Sequence, residues 1–157
     1  MARGLRDRLF ASWLYDLSLG NSASMPEGRP PRIWPASISK NAPEASFEWL
    51  SGLSNSNAPL RADQARERVD KWLANNLKWD AVSWRPDHLA DRLTFGLTHF
   101  DELCAGAPDE FGATFARALN RQARHLFRLG EIGRAEADNF RLWRGAIIAA
   151  LHLPGFR

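Results

Sequence analysis

Apolar residues recur every three to four positions along most of this chain, and no stretch alternates with period two over a useful length. That is the pattern of helices that each bury one side. The first such segment, about Leu5 to Leu19, places Leu5, Leu9, Phe10, Trp13 and Leu17 together and stops at Gly20-Asn21. In residues 21 to 43, Pro26, Pro30, Pro31, Pro35 and Pro43 block regular structure, so a connector anchored by Ile33 and Trp34 is expected. Asn41, Pro43 and Glu44 form a helix start leading into a short helix with Phe47, Trp49, Leu50 and Leu53.

Four longer stretches follow. About Ala62 to Asn76, the residues Ala65, Val69, Trp72, Leu73 and Leu77 share one arc, with Glu67 and Lys71 as a supporting pair outside it. Pro86 opens a helix to about residue 104 that buries Leu89, Leu93, Gly96, Leu97, Phe100, Leu103 and Cys104. After the turn at 105 to 108, a helix from about Asp109 to Leu129 buries Phe111, Phe115, Ala118, Leu119 and Leu126 and ends at Gly130. The last, about Ala135 to Leu153, is expected to bury Phe140, Trp143, Ile147, Ala150 and Leu151. Leu142 and Ile148 then project outside that face, which predicts self-association through the C-terminal helix. Short turns between helices imply antiparallel hairpins, and the fold class is all-α.

At 157 residues, with 45% hydrophobic and 11% aromatic content, one domain spanning 1 to 157 can build a core. No apolar run is long enough to span a membrane, and Asp7, Ser12, Asp16 and Ser18 interrupt any signal-like start, so a soluble cytoplasmic chain is expected. A periplasmic location stays open. One cysteine, Cys104, excludes an internal disulfide, and four scattered histidines give no zinc-type spacing. No metal or cofactor is expected. The net charge of +3 favours an anionic partner only slightly.

Several short motifs follow one another in a set order: Phe47-Glu48-Trp49-Leu50, Trp79-Asp80, Trp84-Arg85-Pro86 with Ala90-Asp91-Arg92-Leu93, Arg121-Gln122-Ala123-Arg124-His125-Leu126, and Leu153-Pro154-Gly155. Arg8-Leu9-Phe10-Ala11-Ser12 with Leu14-Tyr15, and Trp34-Pro35, add to the series. Each motif is common alone. In this order they resemble the N-terminal α/α-toroid of heparinase II/III-like polysaccharide lyases, over most of the chain in outline. One departure is that only residues 36 to 46 fill the gap where the family has a longer insert, which implies an internally shortened chain.

The resemblance implies an incomplete α/α toroid of antiparallel hairpins, a fragment or truncated relative that walls a groove for an acidic polysaccharide. Such lyases eliminate across uronates: Tyr or His takes the proton, and Asn, His or Arg neutralises the carboxylate. In the family these groups lie further along the toroid and at a β-sandwich domain, downstream of Arg157. No catalytic residue is carried over, and the chain alone is expected to be inactive. Tyr15, the only tyrosine, does not match the family's catalytic position.

Two stripes stand out for binding. Arg117, Arg121, Arg124 and Arg128 align on one side of a helix, where guanidinium forks suit carboxylate, sulfate or phosphate. The same stripe could be a solvated face, or could pair with Glu131, Glu136 or Asp138. It also supports the alternative reading, a small basic helical protein that binds nucleic acid or acts as a scaffold. His88, Arg92, Phe95 and His99 form a second stripe that borders either a sugar groove or the edge of the core. The two histidines lie roughly 16 Å apart along the axis, too far to share a metal. Trp84, with Trp79, lies in the connector 77 to 85, placed either to stack on a sugar ring or to plug the end of a helix pair.

Overall fold

The computed structural model describes residues 9–10, 12–20, 24–28, 44–54, 59–131 and 140–156. Among these residues there are helices and turns and no strand. None of their helices is long and apolar enough to cross a membrane. Six α-helices are described: α1 (Trp13–Ser18), α2 (Pro59–Asn76), α3 (Pro86–Thr98), α4 (Phe100–Cys104), α5 (Asp109–Glu131) and α6 (Phe140–His152).

Helix α3 is the centre. Pro86 opens it, its missing N–H falling where a helix has no use for one. Leu89, Ala90, Leu93, Gly96 and Leu97 are buried, as are the polar Asp91, Arg92, Thr94 and Thr98. The threonines satisfy themselves: Thr94 Oγ1 donates to Ala90 O at 2.8 Å and Thr98 Oγ1 to Thr94 O at 2.7 Å. Gly96 admits Phe115 and Leu119 of α5, and Gly145 of α6 rests on Ala90. Helices α5 and α6 thus flank α3 on close, small-residue contacts. The helix expected to reach residue 104 breaks at His99, which leaves the helical conformation (φ −106°, ψ 12°) before α4.

Other boundaries and faces differ from the sequence pattern. Leu9 and Phe10 are helical, and Trp13–Ser18 forms α1, capped by Ser12, whose Oγ accepts from the Tyr15 N–H at 3.2 Å. Phe10 and Leu19 are buried there, whereas Leu9 (59%) and Leu17 (67%) are exposed. The expected short helix is two 3-10 turns, Glu44–Ser46 and Glu48–Ser54, separated by Phe47. Helix α2 starts at Pro59 and buries Ala65, Val69, Trp72 and Leu73 as the spacing predicts, with Glu67 and Lys71 paired at 2.7 Å. Leu77, just past its end, is exposed. Helix α5 runs through Gly130 to Glu131. Leu5, Ile33, Trp34 and the expected start at Ala135 lie outside the described residues.

The largest reversal is in α6. Gly145, Ile148 and Ala149 face the core and Leu142 packs partly against it, while Phe140, Trp143, Ile147 and Leu151 are exposed. The bulky stripe is therefore the outer one. The inner face is chosen by size, because only glycine and alanine let α6 approach the α3 backbone so closely.

Candidate functional site

The arginine stripe on α5 is occupied from within the chain. Arg124 Nη1 donates to Leu19 O at 2.6 Å. Arg128 donates to Ser18 Oγ at 2.7 Å and to Ser18 O at 2.8 Å, and Arg121 pairs with the Asp16 carboxylate. Two guanidinium groups thus receive the carbonyl end of α1, where the helix dipole is negative, and the third meets a carboxylate on the same helix. Glu136, Asp138 and the side chain of Glu131, the alternative partners, lie outside the described residues. Arg117, a turn earlier, is half-buried.

Beside this ladder lies an aromatic box. His125 is buried, its Nδ1 sharing a 2.6 Å hydrogen bond with the Tyr15 hydroxyl. Phe10, Tyr15 and Trp84 meet its ring nearly edge-on at 4.9, 5.7 and 5.3 Å. Burial pushes the Tyr15 phenol above its ordinary value, with Arg128 opposing. Trp84 reaches the box because Asp80 folds the preceding loop, its carboxylate accepting from the Val82 and Ser83 N–H groups at 2.9 Å. Trp84 is buried, and its Nε1–H donates to Asn76 O at 3.2 Å. It plugs the end of α2 and offers no face to a sugar.

The second stripe also turns inward. Arg92 is completely buried and lies 4.4 Å from the Trp72 ring centre. Its Nε donates to Gln122 Oε1 at 2.9 Å and its Nη1 to Ala45 O, while Nη2 has no partner. Burial pushes it down to about 9, with Asp80 and Asp91 opposing, so it stays cationic at neutral pH. His99 is buried with Nδ1 at 2.7 Å from Glu102, and half-buried His88 has Nδ1 at 3.2 Å from Val82 O. Phe95, partly buried, lies 5.7 Å from the Arg144 guanidinium. Arg92 and His99 belong to the core, so this stripe borders no open groove.

Sequence reasoning missed Asp91, held from α6 by Arg144 Nη2 at 2.5 Å and by Arg141 Nη1 at 3.4 Å. Burial holds its carboxyl above the ordinary value against both cations. It also missed the Tyr15–His125 bond, for which the only signal was that both residues sit inside quoted motifs. Open clefts also lie among the described residues. One of about 470 Å³ is lined by Arg66, Glu67, Asp70, Pro108, Glu110, Phe111 and Thr114. Three carboxylates against one guanidinium, itself paired with Asp63, make it unsuited to a polyanion. Another, about 270 Å³, is lined by Trp49, Gly52, Leu53, Gln64, Ala65 and Arg68. Arg68 lies 4.2 Å over Trp49 and is taken up by Glu44.

Among the described residues, no group of three or more His, Cys, Asp or Glu could hold a metal ion. No family model matches the chain, and no curated protein or solved structure matches it.

Proposed function

We propose that this chain is the N-terminal helical portion of a heparinase II/III-like polysaccharide lyase, contributing the helical wall beside an acidic glycan and not the eliminating groups. One observation carries this reading: the separate motifs behind the resemblance converge on a single interior. Phe47 meets Trp72 and Phe115 at 5.1 and 6.3 Å, Arg92 joins Trp72 to Gln122, Trp84 abuts His125, and Leu153 is buried. Residues far apart in sequence thus act as one packed unit. An α/α-toroid arrangement is part of the same proposal, and it is supported by the exposed Trp143 and Ile147 of α6, which suit a further helical hairpin laid alongside.

The test is incubation of the chain with heparan sulfate, alginate and hyaluronan. Saturable retention without unsaturated uronate absorbance is expected. Appearance of that absorbance would overturn the assignment of a non-eliminating wall. Preference for DNA, with affinity falling steeply as salt rises, would favour the nucleic-acid reading instead.

A further inference from the structure

The segment Ser12–Gly20 is held on α5 by an unequal set of charges. Against the guanidinium groups of Arg121, Arg124 and Arg128 it brings one carboxylate, Asp16; the other acceptors, Ser18 Oγ, Ser18 O and Leu19 O, are neutral. The Nε–H of Arg121 is buried and has no acceptor. Among the described residues, three cations therefore share one anion and one hydrogen-bond donor goes unused, an arrangement that a ligand with more negative charge would satisfy better.

The segment turns much of its apolar surface outward. Phe10 and Leu19 anchor it, with the Tyr15 hydroxyl on His125, while Leu14 (60%) and Leu17 (67%) face outward. Gly20, where it leaves the ladder, has φ +70°, and the Arg124 guanidinium stands where a Cβ would be. That backbone conformation favours glycine, and the arginine approaches only because no side chain intervenes.

The geometry points to the Arg121–Arg124–Arg128 ladder as a binding site for a carboxylate-bearing polysaccharide, with segment 12–20 acting as an internal strap that occupies it. Of the acceptors that the strap presents, the Asp16 carboxylate and the Ser18 hydroxyl are of the kinds that a uronate chain carries, and the two main-chain carbonyl oxygens stand where its other oxygens would lie. Three of the four arginines spaced along the helix in the sequence then form a site already filled by a surrogate. This inference rests on the acidic-glycan reading above and adds where the glycan sits and what it displaces.

The experiment follows amide hydrogen exchange in residues 12–20 of the full chain during titration with polygalacturonate, with dextran and duplex DNA in parallel. Polygalacturonate is expected to deprotect the strap, and dextran is not. Asp16→Asn removes the competing carboxylate and should raise polyuronate affinity about fivefold, the scale of one partly exposed ion pair. Arg121→Gln with Arg124→Gln should abolish binding. If polyuronate binds the unmodified chain and the double arginine variant equally and leaves the strap protected, the ladder is not the site, though the acidic-glycan reading survives. If neither the unmodified chain nor Asp16→Asn binds polyuronate, both fail. Strap release by DNA alone would overturn the choice of a polysaccharide.

Discussion

Gly145 of α6 lies directly on Ala90 of α3, so close that a Cβ on the glycine would stand 2.5 Å from the Ala90 Cα and 2.7 Å from its carbonyl oxygen. Both neighbours are backbone and cannot swing aside. Gly145→Ala should therefore force the two helices apart and cost roughly 1–3 kcal/mol, although alanine is intrinsically the better helix former by about 1 kcal/mol. Urea denaturation checks this. A raised midpoint would mean that the helices slide without penalty.

The buried cation of Arg92 and its partner Gln122 should behave as a coupled pair. Arg92→Met strands the Gln122 amide and the Ala45 carbonyl and is expected to cost roughly 2–4 kcal/mol. Adding Gln122→Met should recover roughly 1–2 kcal/mol of that loss, because the orphaned amide is removed with it. Strict additivity of the two changes would show that the hydrogen bond contributes nothing.

Burial, reinforced by the Asp101 carboxylate, pushes the Cys104 thiol up to about 11 from 9.0. Only the thiolate attacks, so alkylation by iodoacetamide at pH 8 should be about a hundredfold slower in the folded chain than in urea, the ratio of thiolate fractions implied. Since the folded value is the higher one, the thiol's contribution to stability is complete below the unfolded value. It is lost as pH climbs through about 11. Equal alkylation rates in the two states would refute the burial argument.

The outer stripe of α6 should drive concentration-dependent association, read by sedimentation velocity. Trp143→Lys with Ile147→Gln is expected to abolish it. Ile148→Gln, a change the sequence pattern would choose for an outward position, should instead destabilise the fold by roughly 2–4 kcal/mol, because that side chain is buried. A clean monomer of the unmodified chain at high concentration would contradict the first expectation.

These reversals show which parts of the fold were legible. Faces were read correctly where only one side of a helix is apolar, as for Val69 and Trp72 on α2 or Phe115 and Leu119 on α5. Helix α6 is apolar on two sides, and periodicity cannot weigh the bulk of Trp143 against the close approach allowed by Gly145. The arginine ladder was visible as spacing, but its partners were not. They are largely main-chain carbonyls and a hydroxyl more than a hundred residues earlier, groups that carry no side-chain signature of an anion. Arg92 illustrates the opposite limit: a charged residue at helical spacing reads as an edge, and nothing local announces that Trp72, Gln122 and Ala45 will enclose it.

Phe47 holds a left-handed backbone, φ 58°, the one non-glycine residue among those described to do so. That conformation costs an ordinary side chain about 1–2 kcal/mol, and what offsets it is the ring's place against Trp72 and Phe115. The turn at Phe47 therefore depends on packing against α2 and α5 for its shape. Residues 44–54 are expected to close like a clasp on α2 and α5, their amides late to gain exchange protection and early to lose it.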